Sequence, residues 1–180
     1  RTSSSGTSPN CLPRSACRIK LVKRLPVVAV IGAGDAPPAV GKLAFAVGSE
    51  IARRGAVLLN GGRTGVMESA AAGARQQGGH TIGILPGIDR HAANQHIEFA
   101  IATGIGEARN AVIIASADAV IALAGEGGTL AEIGFAKKFG KPIVALDSWR
   151  EIDGLDRADN AVDAVAMALK LAASNSRRRS

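Results

Sequence analysis

The sequence predicts an α/β domain of Rossmann-like type, a parallel β-sheet with helices on both faces. Three observations carry that prediction. Short apolar runs alternate with longer segments of helical period, three of the runs end in glycine-rich loops, and the runs themselves are continuous in Val, Ile, Leu and Ala. Strands buried on both faces have that last property, because neither side of the pleat meets water.

The runs are residues 27–31, 56–59, 81–85, 100–102, 119–123 and 143–146. Helices are predicted between and after them at 39–54, 66–77, 106–116, 129–139 and 160–173. Each helix begins behind a Gly, Pro, Asp or Thr, and Gly55, Gly78 and Gly140 stand where the chain must turn left-handed to leave a helix. Right-handed crossovers then place helices on both sides of one sheet. No linker divides residues 25–173, which we read as one domain flanked by basic, disordered tails at 1–24 and 174–180.

The formal charge of +7 resides in those tails. Setting aside the nine basic residues before 25 and after 176 leaves 13 of the 22 against 15 acids, so the body is slightly acidic. That argues against a basic nucleic-acid face, and the absence of Tyr removes a platform for stacking bases. The first segment has the composition of an organelle transit peptide without its amphipathic stripe, and an expression remnant or a mis-set start reads the same way. No apolar stretch approaches the length of a membrane span, and a cytoplasmic protein is expected. Cys11 and Cys17 both lie in the tail, and His80, His91 and His96 have no ligand spacing, so no metal is expected.

The site is predicted at the glycine loops. Gly125, Gly127 and Gly128 follow the fifth run, with Thr129 read as the N-cap of the next helix, so that amides from Gly125 to Leu130 face an anion. Gly61, Gly62, Arg63, Thr64 and Gly65 form a second such loop. Gly32 and Gly34 form a third, in which Pro37 replaces the last glycine of a dinucleotide fingerprint. A phosphorylated small molecule suits three such loops at the carboxyl ends of parallel strands.

Glu132 admits two readings. It completes a capping box with Thr129, or it points into the crevice to bind a hydroxyl or exchange a proton. Arg109 is likewise either a solvated helix arginine paired with Glu107 or Glu126, or a planar clamp for phosphate; Arg63 has the same choice. Asn60, Thr64 and Asn110 are candidates for neutral hydrogen bonds. No nucleophilic triad or Walker lysine is present, which leaves hydrolysis at a sugar carbon as the reaction class such residues suit.

The stretches Gly61-Gly62-Arg63-Thr64-Gly65-Val66-Met67, Gly83-Ile84-Leu85-Pro86-Gly87, Ala108-Arg109-Asn110 and Gly125-Glu126-Gly127-Gly128-Thr129-Leu130-Ala131-Glu132 together resemble the LONELY GUY (LOG)-like superfamily, also called lysine decarboxylase-like. Within it they look most like the branch of the molybdenum cofactor carrier proteins. The resemblance implies a homodimer or homotetramer and either of two functions. One is a carrier with molybdenum cofactor as cargo. The other is a phosphoribohydrolase that releases a purine or cytokinin base from a nucleoside 5′-monophosphate, in which Glu132 and Arg109 are catalytic. Here Ala124 and Glu126 stand where the enzymes' loop has Pro and Gly, and Gly106, Glu107 and Asn110 replace the Met, His and Lys around their arginine. Glu126 must turn outward if the loop is to hold an anion.

Overall fold

The computed structural model describes residues 24–177. Seven parallel strands form one sheet in the order β4-β3-β2-β1-β5-β6-β7. They are β1 (Val27–Ile31), β2 (Val57–Asn60), β3 (Thr81–Leu85), β4 (Phe99–Ala102), β5 (Ala119–Ala122), β6 (Ile143–Leu146) and β7 (Asp156–Ala158). The helices are α1 (Pro38–Arg53), α2 (Val66–Gln76), α3 (Arg109–Ser116), α4 (Gly127–Lys138) and α5 (Ala161–Arg177). The Rossmann-like α/β architecture expected from the alternation is the one observed.

Alternate residues of each central strand supply two separate cores, as period-two geometry requires. Val28, Val30, Leu58, Ile121 and Val144 face α1, α2 and α5, while Ala29, Ile31, Leu59, Val120 and Ala145 face α3 and α4. Chain order reverses between β1 and β5, which pair directly from Val28 with Ala119 to Ile31 with Ala122. Crossovers lead away from that seam in both directions, so the loops at its carboxyl end part and leave a crevice.

Three elements differ from the sequence expectation. The strand β7 went unread because Asp156 and Arg157 are exposed and only Ala158 is buried, so this edge strand has no apolar run. The segment Gly106–Ala108 forms a 3₁₀ turn before α3 instead of its first α-turn. Helix α5 continues past residue 173 to Arg177, while residues 1–23 and 178–180, where most of the predicted tails fall, lie outside the described residues.

Helices α1 and α2 lie backbone to backbone. A Cβ on Gly48 would enter the Ala70 carbonyl, one on Gly73 would enter that of Phe45, and the Ser49 hydroxyl donates to the Gly73 carbonyl at 3.2 Å. Small residues at these positions bring the two helices close enough to hold the loops at their N-termini side by side.

Candidate functional site

The loops after β1, β2 and β5 are tied together at the seam by hydrogen bonds. The Ala33 N–H donates to the Ala124 carbonyl at 2.9 Å, and the Ala33 carbonyl accepts from the Val66 N–H at 3.0 Å. The Thr64 hydroxyl donates to the Gly34 carbonyl at 2.8 Å. Such closeness needs glycine at Gly65, whose φ is +67° and where a Cβ would lie 2.6 Å from the Gly34 carbonyl carbon.

Asn60 is fully buried and spent on this scaffold. Its amide nitrogen donates to the Met67 carbonyl and its oxygen accepts from the Gly62 N–H, each at 2.8 Å. Gly61 and Gly62 are buried behind the crevice, and the missing Cβ of Gly61 makes room for the Arg109 guanidinium. On the far side the Trp149 indole N–H donates to the Leu123 carbonyl at 2.8 Å, bracing the start of the loop that leads to α4. Nothing in the sequence pattern marked Trp149, because its contact joins two loops 26 residues apart.

Helix α4 begins earlier than the sequence suggested. Its N-cap is Glu126, so Gly127, Gly128 and Thr129 are the first three helical residues and Thr129 is not the cap. The capping box with Glu132 is therefore absent, and Glu132 lies well inside the helix. The Leu130 N–H donates to the Glu126 carbonyl at 3.0 Å, which removes it from the amides open to an anion. Those of Gly127, Gly128 and Thr129 have no acceptor among the described residues, as the first turn of a helix leaves them. Thr129 is buried, with its side chain against Gly125.

Gly32, Gly34, Arg63, Thr64, Arg109, Gly128, Thr129 and Glu132 line one crevice of about 420 Å³. Ala33, Asp35, Met67, Glu107, Asn110 and Glu126 join them. Gly61, Gly62, Gly65, Gly125, Gly127 and Leu130 are not among the residues that line it. Glu126 is solvent-exposed at the mouth.

Two buried polar atoms in this crevice have no partner, Arg109 Nε and Asn110 Oδ1. Arg109 is only 5 % exposed, and its nearest carboxylate, that of Glu107, is 3.7 Å away. Burial lowers its pKa, Glu107 and Glu132 oppose that, and Arg63 adds to it. Arg109 is thus buried and not solvated, although it keeps the contact with Glu107 that the helix-arginine reading allowed. A desolvated cation with its nearest carboxylate at 3.7 Å and its Nε without a partner is a costly arrangement that an anion would relieve.

Glu132 is 7 % exposed, and no hydrogen bond to its carboxyl group occurs among the described residues. Burial pushes its pKa from 4.5 up to about 7, against the pull of Arg109 and with help from Glu107. The unfolded chain releases this proton near 4.5 and the folded chain near 7. Glu132 therefore leaves stability unchanged below pH 4.5, lowers it as the pH rises between the two values, and levels off above. The whole loss is about 3 kcal/mol. Glu132→Gln is expected to flatten that slope and to exceed the parent in stability at pH 8 but not at pH 4.5. Guanidinium unfolding at both pH values measures it, and an equal difference at the two would refute the burial of a titrating carboxyl.

Comparison with known proteins gives the family of the chain. The SLOG cluster4 family profile matches residues 25–173. The molybdenum cofactor binding protein of Rippkaea orientalis is 36 % identical, with a TM-score of 0.80 over 83 % of this chain and 99 % of that one. The molybdenum cofactor carrier protein of Chlamydomonas reinhardtii is 33 % identical, with a TM-score of 0.78 and the same coverage of 83 % and 99 %. A cytokinin riboside 5′-monophosphate phosphoribohydrolase of Mycobacterium marinum is 34 % identical over 141 residues, 73 % of this chain and 75 % of that protein. The chain belongs to the SLOG cluster4 family, in the part of the LOG-like Rossmann superfamily where the molybdenum cofactor carriers stand.

Proposed function

We propose that this protein is a carrier that holds a phosphorylated small molecule in the crevice between β1 and β5. The phosphate sits on the N–H groups of Gly127, Gly128 and Thr129, and Arg109 and Arg63 clamp it from the side. The single observation that carries this reading is the buried Arg109, left with an unpaired Nε beside three open amides. The solved relatives are named for binding or carrying molybdenum cofactor, which ends in a phosphate, and that compound is the cargo we favour. The orphaned Asn110 Oδ1 is an acceptor suited to a donor on the same ligand. Self-association belongs to the proposal: α3 exposes Val112 and α4 exposes Leu130, apolar side chains on the two helices that begin at the crevice.

A second reading is favoured by Glu132. A carboxyl titrating about pH 7 near an arginine is an acid and base for hydrolysing the glycosidic bond of a nucleoside monophosphate, the reaction named for the mycobacterial relative. Incubation with AMP, followed by chromatography for free adenine, separates the readings. A carrier protects against thermal unfolding with phosphate and releases no base, whereas base release that disappears in Glu132→Gln establishes the enzyme.

A further inference from the structure

A second depression of about 980 Å³ opens between α1 and α2, on the other side of the ridge formed by Gly34, Asp35 and Thr64. Those three residues line both cavities, and two of them are joined by the hydrogen bond from Thr64 to the Gly34 carbonyl. Gly41, Ser69 and Ala72, all small, line the groove together with Phe45 and leave space beside its ring. Of the five aromatic residues in the chain, Phe45 is the one that lines a cavity sharing residues with the phosphate crevice. Two of the three charged side chains around it are acceptors. Asp35 and Glu68 are carboxylates with no hydrogen-bond or ion-pair partner among the described residues, and Lys42 at the rim has none either.

We propose that this groove is the second half of the ligand site and takes a planar nitrogen heterocycle whose edge carries adjacent N–H donors. The inference rests on the phosphate reading above. A flat ring packs on Phe45 and Ala72, and carboxylates, which only accept hydrogen bonds, pair with N–H groups and not with ring nitrogens. A 2-amino-4-oxo-pyrimidine edge, shared by guanine and pterins, presents two such donors together. Adenine presents an amino group beside an acceptor. The groove therefore selects the first kind of ring.

Isothermal titration of the full chain with inorganic phosphate, ribose 5-phosphate, AMP and GMP tests this. GMP is expected to bind at least tenfold more tightly than ribose 5-phosphate and more tightly than AMP. Ala72→Phe, which fills the groove, is expected to erase that gain and to leave ribose 5-phosphate within twofold of the parent. Should Ala72→Phe fail to fold, Phe45→Leu and Glu68→Gln take its place, the latter reducing the preference for GMP over AMP. If GMP binds no better than ribose 5-phosphate, or keeps its advantage in these variants, the groove is not part of the site although the phosphate crevice stands. If neither phosphate nor ribose 5-phosphate binds, the phosphate reading falls and takes this one with it.

Discussion

Arg109→Met is expected to weaken binding of inorganic phosphate by about 100-fold, the value of the two or so charge-assisted hydrogen bonds a guanidinium gives to a phosphate. Methionine keeps an unbranched apolar stem but not the guanidinium that lies against Gly61, so the change removes the fork. Arg109 is 5 % exposed with its Nε unpaired, hence the folded state spends stability to keep the cation there. Thermal unfolding without ligand should accordingly be unchanged or slightly raised in the variant, while stabilisation by phosphate disappears. A variant that loses stability and keeps its phosphate affinity would show Arg109 to be structural.

Gly48→Val carries the largest expected cost to the fold. A Cβ at Gly48 meets the Ala70 carbonyl, a backbone atom of α2 that cannot turn aside as a side-chain tip could. Forcing α1 and α2 apart also tilts the loops at their N-termini, where Gly34 and Thr64 are joined. We expect a loss of at least about 3 kcal/mol, or roughly 6–12 °C in Tm for a domain of this size. Gly134→Val is the control, since a Cβ there meets nothing within 4 Å. Equal melting temperatures for parent and Gly48→Val would contradict the close approach of the two helices.

The parts of the fold that periodicity governs were legible in the sequence. Runs such as 27–31, 81–85 and 143–146 are buried on both faces, so their composition alone marks them, and the strands begin and end where the runs do. The start of α4 was not legible. Thr129 has the residue type of an N-cap and Glu132 the spacing of its partner, yet the chain turns helical at Gly127 because β5 ends at Ala122 and the loop is gripped at Ala124 by Ala33. A tertiary bond outweighed a local preference of about 1 kcal/mol. Local signals equally could not tell Arg109 in a crevice from Arg109 in water. The room for it comes from Gly61, a residue 48 positions away that the sequence marks only as part of an anion-binding loop.

The central claim is that three backbone amides at the start of α4 receive the anion. Titration of inorganic phosphate into ¹⁵N-labelled protein, followed by amide chemical shifts, tests it residue by residue. Gly127, Gly128 and Thr129 are expected to move downfield together along one saturable curve, with Leu130, already bonded to Glu126, moving far less. Phosphate that saturates elsewhere on the protein, or leaves these three resonances in place, would contradict the account.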